Sequence, residues 1–202
     1  MKNTKDNFSR QAALYQKFRP GYPEGLIHTL CESIPERNLA WDCATGNGQV
    51  AAMLSEKFVK VIATDISGEQ LGKASPKENV EYKVERAERA SLSDGSVDLI
   101  TVAQAIHWFD FDAFYREAKR VLKKDGIIAV MGYSLLTTEN PGLDEIIRYF
   151  YNDVVGSYWD DERKYIDARY TTIPFPFGEF EWPAFDIKYN WSLEQLRGYL
   201  SS

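Results

Sequence analysis

A short turn that combines an acidic residue with two glycines is the part of this sequence best suited to chemistry. Asp42 ends a short apolar segment, and Thr45-Gly46-Asn47-Gly48 follows it before a predicted helix. Glycine lets backbone approach a ligand without an intervening side chain, and a helix start offers unpaired N–H groups to polar or anionic groups. The pattern indicates a site for a nucleoside-bearing ligand.

A second carboxylate follows one strand-helix-strand step later. Asp65 stands at the end of the next predicted strand, where a carboxylate can accept hydrogen bonds from both ribose hydroxyls. The alternative is a helix N-cap, a duty for which Ser67 competes. Together with Asp42, the spacing favours the ribose role.

The glycine turn also permits a rival interpretation. Residues 46–51 fit the Gly-x-Gly-x-x-Ala pattern of a dinucleotide site, so an NAD-dependent oxidoreductase stays open. Asp42 argues against it, because a carboxylate in this turn repels a pyrophosphate and attracts the cationic methionine end of S-adenosylmethionine.

The elements that position these residues alternate between strand and helix. After a first helix over 23–33, strands are predicted at 38–43, 58–64, 80–84, 97–103 and 127–132, with helices at 49–57, 66–74 and 111–122. Lys123-Lys124-Asp125-Gly126 is interpreted as the stop of the last of these helices. The alternation predicts a doubly wound α/β fold with a mostly parallel sheet and ligands beyond its carboxyl edge.

Beyond residue 132 the alternation breaks down. A helical segment near 143–155 and a Pro/Phe-rich stretch are interpreted as a cap inserted over the cleft, at 133–179. Residues 181–191 are predicted as a sixth strand and 193–200 as a helix, after which a last strand is expected but absent. The predicted organisation is one domain over 1–202, with an N-terminal segment at 1–23, a ligand-binding core at 24–132 and a C-terminal strand and helix at 180–202.

Composition excludes several classes of protein. Hydrophobic residues make up 44% and charged residues 27% of the chain, and the apolar runs are far shorter than a membrane span. The net charge of −6 argues against a nucleic-acid binder, which needs a basic face. Two cysteines without metal-ligand spacing and a polar start without a signal peptide favour a cytoplasmic protein with no metal and no membrane partner.

Several segments resemble the motifs of class I S-adenosylmethionine methyltransferases, of the methyltransferase type 11 domain kind. Residues 41–49 resemble motif I of that family, 64–67 its second-strand motif, 87–88 its adenine-side segment, 94–110 its fourth-strand motif and 122–126 the start of its fifth strand. They occur in the right order over residues 38–132. One departure is Ala44, which replaces the first glycine of motif I and is expected to fit if its φ stays negative.

The resemblance implies a Rossmann-like fold, S-adenosylmethionine as cofactor and a set of binding residues. It implies that Ile66 flanks the adenine, that Glu88 or the Ala87 backbone lies near its exocyclic amine, and that Gln104 lies near the methionine portion. With the turn and Asp65, the predicted cofactor site comprises Asp42, Ala44, Thr45, Gly46, Gly48, Asp65, Ile66, Ala87, Glu88 and Gln104.

The segment 8–23 resembles the N-terminal lid of methyltransferases similar to the trans-aconitate methyltransferases. Tyr15, Arg19 and Tyr22 are predicted to close over the methionine end, with Arg19 pairing a carboxylate of cofactor or substrate. An amphipathic helix packed on the domain edge is the alternative.

His107 follows the fourth predicted strand, where the transferred methyl group is expected to emerge. It is interpreted either as a general base or as a packing residue, and substrate binding is assigned to His107, Trp108 and Tyr133. A small-molecule methyltransferase, with carboxylate O-methylation of the trans-aconitate type as the most specific hypothesis, is the leading prediction. A non-catalytic S-adenosylmethionine-binding regulator and an NAD-dependent oxidoreductase are its alternatives.

Overall fold

The computed structural model describes residues 20–178, 182 and 185–200. The core elements are α1 (Glu24–Glu32), β1 (Leu39–Cys43), α2 (Gln49–Ser55), β2 (Lys60–Asp65), α3 (Gly68–Leu71), β3 (Val80–Val84), β4 (Val97–Ala103), α4 (Phe111–Val121) and β5 (Leu122–Met131). The remaining ones are α5 (Pro141–Tyr149), a π-helical turn (Phe150–Val154), α6 (Arg163–Asp167), α7 (Leu193–Leu200) and two short 3-10 turns (Ile106–Trp108 and Gly156–Tyr158).

The sheet has five strands, all parallel, in the order β3-β2-β1-β4-β5. The chain therefore builds outward from β1 to β3 and then crosses to β4 on the other side of β1. Ligand clefts form at such a switch point, beyond the carboxyl ends of the strands. The Rossmann-like class I methyltransferase fold predicted from the sequence is confirmed.

Each face of the sheet carries its own apolar core, because alternate residues of a strand point to opposite faces. On one face, Trp41 and Ile100 pack with Phe114 of α4. On the other face, Val61 packs with Leu30 of α1 and Leu54 of α2. Within the described residues, no helix has both the length and the apolar character needed to cross a membrane.

The amino ends of the strands are fixed by Asp98, the second residue of β4. Its buried carboxylate accepts hydrogen bonds from the backbone N–H groups of Asn38 and Leu39 at 3.0 and 2.9 Å, and it pairs with Lys123 Nζ at 2.6 Å. Paired charge and satisfied acceptors are the conditions under which a buried carboxylate is tolerated. Asp98 thus joins the amino ends of β1, β4 and β5, whereas the carboxyl ends of the strands are open for ligands.

Two predicted boundaries near β5 and the C-terminus are wrong. Residues 123–126 do not end a helix but lie inside β5, with a register irregularity opposite residues 97–99. A Cβ on Gly126 would lie 2.9 Å from the Val97 carbonyl oxygen, so close backbone approach explains the glycine.

The predicted sixth strand at 181–191 is also absent from its described residues, 182 and 185–191. There Tyr189 accepts a hydrogen bond from the Gly21 N–H at 3.0 Å and packs on Trp191, so these side chains pack without a strand.

Candidate active site

The turn from β1 to α2 depends on three residues in the left-handed region of the backbone. Ala44, Gly46 and Gly48 have φ values of 55°, 56° and 80°. The expectation that Ala44 keeps a negative φ is wrong. A non-glycine residue in this region costs roughly 1–2 kcal/mol, so the alanine is held there by its surroundings at the expense of stability.

Gly48 is required for packing as well as for conformation. A Cβ built on it would lie 2.7 Å from Tyr82 Oη and 3.1 Å from the Ala74 Cβ. A Cβ on Gly46, by contrast, would have no atom within 4 Å. Gly46 therefore borders open space, and its lack of a side chain leaves room for a ligand.

Asp42 is buried at the carboxyl end of β1. Its carboxylate accepts a hydrogen bond from Thr101 Oγ1 at 2.6 Å and another from the Thr45 hydroxyl. Burial raises the pKa of Asp42 to about 6, although both hydroxyls act in the opposite direction. Thr101 was missed as a site residue, and its signal was a hydroxyl inside the otherwise apolar segment 97–103.

Asp65 connects the end of β2 to the glycine turn. Its Oδ2 accepts a hydrogen bond from the Gly46 N–H at 2.8 Å, and its Oδ1 accepts one from the Ser67 N–H at 2.9 Å. Ser67 is the N-cap of α3, since its Oγ accepts from the Gln70 N–H at 3.2 Å. Asp65 is therefore not the cap, and its carboxylate connects the glycine turn to the segment that begins α3.

A cavity opens at this edge of the sheet, with an empty volume of about 1200 Å³ that includes its open mouth. Most of the predicted cofactor residues line it, namely Tyr22, Asp42, Ala44, Thr45, Gly46, Asp65, Ile66, Ala87, Glu88 and Gln104. Gly48 belongs to the same turn but does not line the cavity. Tyr15 and Arg19 lie outside the described residues.

Glu88 joins the loop after β3 to the start of α4. Its Oε1 accepts a hydrogen bond from the Asp110 N–H at 3.1 Å, and its Oε2 lies 3.3 Å from Arg86 Nε. Ala87 is buried beside it, whereas Ile66, which also lines the cavity, is 38% exposed. An exposed isoleucine and a hydrogen-bonded carboxylate in one lining suit a base that is stacked on one side and hydrogen-bonded at its edge.

Gln104, Trp108, Tyr133 and Tyr22 also line the cavity, and we call these four residues its aromatic end. Gln104 has a φ of 53° and its Nε2 donates to the Tyr133 carbonyl oxygen at 2.7 Å. The Tyr22 and Tyr133 rings lie 6.3 Å apart. Two of the three predicted substrate residues, Trp108 and Tyr133, therefore border the cavity.

His107 is the predicted substrate residue that the described structure does not bring to the cavity wall. Its side chain is buried, and its Nδ1 lies 3.1 Å from the hydroxyl of Tyr170. The two rings stack with centroids 5.9 Å apart. This environment favours the packing interpretation, and the general-base role stays a prediction. Tyr170 was missed because nothing in the local sequence connects it to residues 63 positions earlier.

The cavity lining is acidic. Asp42, Asp65, Glu85 and Glu88 all contribute to it, and the described part of the chain supplies no Lys or Arg side chain to it. Such a lining attracts a cationic ligand and repels a pyrophosphate.

Comparisons with known proteins agree with this geometry. The family described as Methyltransferase domain matches residues 41–130. A methyltransferase of Dictyostelium discoideum is 36% identical over 98% of this chain and 76% of that protein. The chain belongs to the class I S-adenosylmethionine-dependent methyltransferases.

Solved structures extend the comparison to the whole fold. A type II methyltransferase from Anaeromyxobacter dehalogenans is 37% identical, with a TM-score of 0.83 over 92% of this chain and 78% of that one. By sequence, a further relative is an S-adenosylmethionine-dependent methyltransferase of Saccharomyces cerevisiae, which is 26% identical over 81% of this chain and 60% of that protein. The enzyme class and the cofactor S-adenosylmethionine predicted from the sequence are confirmed.

The residues of the cavity fit that cofactor. Gly46 leaves open space beside a backbone N–H that Asp65 holds in place, and acidic side chains line the wall where a sulfonium and an ammonium need negative charge. An NAD-dependent oxidoreductase, the rival interpretation of the glycine turn, is not supported.

Proposed function

We propose that this methyltransferase acts on a small molecule bound at the aromatic end of the cavity. The observation that carries the proposal is the wall made by Tyr22, Trp108 and Tyr133, with the Gln104 amide among them. Concave sites lined by aromatic side chains and a few polar groups are typical of small-ligand sites. A chain with a net charge of −6 is also poorly suited to a nucleic-acid acceptor.

The side chains of the enzyme act mainly by placement. Bound S-adenosylmethionine supplies an electrophilic methyl carbon on a sulfonium, so the acceptor needs alignment more than activation. Asp65 fixes the backbone of the turn at Gly46 and offers its oxygens to the ribose. Asp42 supplies negative charge near the methionine end, and its two hydroxyl donors hold it in one orientation.

The acceptor atom that we propose first is a carboxylate oxygen, as in trans-aconitate methylation. A carboxylate is already ionised at neutral pH and needs no general base. This acceptor depends on Arg19, because the described residues contribute no arginine side chain to the cavity lining. Arg163 contacts the Tyr151 and Trp159 rings, and neither it nor Arg169 lines the cavity.

An uncharged hydroxyl acceptor is the second candidate. Four carboxylates in the lining oppose an acceptor with several negative charges, whereas aromatic walls bind a planar neutral molecule well. Such an acceptor needs a base, because the hydroxyl proton has to leave, and His107 is the residue predicted for that role.

The test is a turnover screen with matched acceptors. Small di- and tricarboxylates and neutral phenols of similar size are incubated with enzyme and S-adenosylmethionine, and both S-adenosylhomocysteine and methylated product are measured by mass spectrometry. We expect Arg19→Gln to lower kcat/KM for carboxylates about tenfold or more, with little change for phenols. Arg37→Gln, at an exposed position, is the control.

The outcomes of the screen separate the hypotheses. A carboxylate product that survives Arg19→Gln would remove Arg19 from the site, and phenol products alone would replace the first candidate by the second. Cofactor binding without turnover of any acceptor would support a non-catalytic regulator.

We also propose a cytoplasmic location, without a nucleic-acid or membrane partner, which cell fractionation of the expressed protein checks.

A further inference from the structure

A three-residue hydrogen-bond chain connects the cap to the aromatic end of the cavity. Tyr170 Oη lies 3.3 Å from Gln104 Oε1 and 3.1 Å from His107 Nδ1. Gln104 in turn donates from Nε2 to the Tyr133 carbonyl oxygen at 2.7 Å. The Tyr170 hydroxyl therefore contacts Gln104 and His107, which follow β4, and Gln104 connects it to Tyr133, which follows β5.

The directions of these hydrogen bonds follow from which atoms can donate. Only the amide nitrogen of Gln104 can face the Tyr133 carbonyl at 2.7 Å, because the reversed amide would oppose two acceptors. Gln104 Oε1 is thus the atom that faces Tyr170, and it can only accept. The single hydroxyl proton of Tyr170 goes to Gln104, so His107 Nδ1 must donate to the Tyr170 oxygen.

This arrangement specifies one tautomer of neutral His107. The proton lies on Nδ1, and Nε2 keeps the lone pair and is the basic nitrogen. The stacked rings of His107 and Tyr170, with an interplanar angle of 22°, restrict imidazole rotation that would break the bond.

The backbone at Tyr170 is held in a costly conformation that places its ring. Arg169 and Tyr170 have φ values of 50° and 59°, two consecutive non-glycine residues in the left-handed region. The Tyr170 N–H donates to the Tyr165 carbonyl oxygen at 2.7 Å, which closes this turn after α6. Backbone strain of this kind persists where the surroundings over-determine it, and it concentrates at functional sites.

The end of β5 is shaped to receive that ring. A Cβ on Gly132 would lie 2.7 Å from Tyr170 Cε2, so only glycine allows the ring to lie against the strand end. Strain at residues 169–170 and space at Gly132 are independent observations that point to the same placement.

We propose that Tyr170 is a positioning residue for methyl transfer, which holds Gln104 of the cavity lining in place and fixes the Nδ1–H tautomer of the buried His107. The proposal rests on the proposed function for its kinetic part. Its structural part, the tautomer, does not depend on turnover. Tyr170 acts through Gln104 and His107, since it is not itself part of the cavity lining.

The structural test uses nitrogen NMR of histidine. The chain has two histidines, and His28→Gln at an exposed helix position leaves only His107. At about pH 8, where an ordinary imidazole is neutral, long-range ¹H–¹⁵N spectra distinguish Nδ1–H from Nε2–H. We expect Nδ1–H in this background, and its loss or a mixture of tautomers after Tyr170→Phe. Tyr158→Phe, at an exposed tyrosine of the cap, should leave the spectrum unchanged.

The kinetic test separates positioning from cofactor binding. Tyr170→Phe should lower kcat about tenfold and leave the KM for S-adenosylmethionine within about twofold, because the two hydrogen bonds of the Tyr170 hydroxyl with Gln104 and His107 are lost. Gly132→Ala displaces the ring while keeping the hydroxyl, and it should give the same tautomer change. Thermal unfolding of both variants checks that they fold.

Several results would overturn the proposal. They are an Nε2–H tautomer in the unmodified chain, an unchanged tautomer in folded Tyr170→Phe, or unchanged kcat in that variant with a productive acceptor. If no acceptor is ever turned over, the proposed function fails while the tautomer result still decides the structural claim.

Discussion

The two ends of the cavity are built in different ways. We call the glycine turn with Asp65 the cofactor end, and the aromatic end, where we propose that the acceptor binds, the acceptor end. At the cofactor end, Asp65 and Gly46 are 19 residues apart and meet through one strand-helix-strand unit. At the acceptor end, Tyr170 and Gln104 are 66 residues apart and meet through the cap. The first end is a local feature of the fold, whereas the second depends on how the cap docks. Variants of the two ends should therefore fail differently.

Gly48→Ala is expected to have the largest effect on stability at the cofactor end. The new Cβ would lie 2.7 Å from Tyr82 Oη, and the backbone φ of 80° is unfavourable for alanine. Strain and overpacking together predict a loss of roughly 3 kcal/mol in the free energy of unfolding. Urea denaturation measures it. Tyr82→Phe removes the nearest atom and should recover part of the loss, and no recovery in the double variant would contradict the steric explanation.

Asp65→Ala tests the cofactor end by affinity. The change removes the carboxylate that holds the Gly46 and Ser67 N–H groups and that we assign to the ribose. Hydrogen bonds to charged groups contribute about 1.5–3 kcal/mol, so S-adenosylhomocysteine should bind roughly 100-fold more weakly in calorimetry. Asp65→Asn should lose less, since it keeps one acceptor. Unchanged affinity would remove the ribose assignment, and Glu56→Ala at an exposed position controls for net charge.

The buried carboxylate of Asp42 predicts a pH dependence of the free energy of unfolding. Its pKa is about 6 in the folded chain and 3.8 in the unfolded reference, so the folded state holds the extra proton between these values. Stability therefore falls as pH rises from about 4 to 6, by an amount on the order of 3 kcal/mol for this group. Denaturation of the chain and of Asp42→Asn across this range isolates the effect. A stability difference between them that does not change with pH would contradict it.

Arg163→Ala tests the cap alone. The guanidinium lies 4.9 Å from the Tyr151 ring centroid and 4.6 Å from that of Trp159, and it bonds to the Tyr151 hydroxyl. Its loss should cost roughly 1–2 kcal/mol locally. Hydrogen exchange should rise over residues 150–170 while protection of β1, β2 and β4 and the affinity for S-adenosylhomocysteine stay unchanged. Uniformly faster exchange would show that cap and core unfold as one unit.

Ala44→Gly is expected to have the smallest effect of these variants, an increase in the stability of the folded chain. The residue has a φ of 55°, where glycine avoids the strain of a side chain. We expect a gain of about 1 kcal/mol in the free energy of unfolding, somewhat reduced by the greater freedom of glycine in the unfolded chain. A loss of stability would indicate that the alanine methyl group packs favourably against the core that it borders.

The glycine turn and the strands beside it could be predicted from the sequence because their signals are local. Strand ends at Asp42 and Asp65 and the glycine turn are contiguous patterns, and β3 and β4 have the predicted bounds. The conformation of Ala44 was not predictable, because a positive φ in a non-glycine residue is imposed by its surroundings.

The acceptor end could not be predicted in the same way. Tyr170 contacts His107 and Gln104 only through the docking of the cap, and no spacing rule connects positions so far apart. Residues 181–191 were predicted as a strand, but a strand also needs a neighbour to pair with, which the sequence of one segment does not report. Gly126 was interpreted as a helix stop because helices often end at glycine. A glycine that is required by close backbone approach between β4 and β5 looks the same in the sequence.

The most direct test of the account is a parallel calorimetric titration with S-adenosylmethionine, S-adenosylhomocysteine and NAD, on the unmodified chain and on Asp65→Ala. We predict that the unmodified chain binds the first two ligands and not NAD, and that the variant loses most of that affinity. Binding of NAD, or binding of S-adenosylmethionine that is indifferent to Asp65, would contradict the assignment of this cavity as the cofactor site.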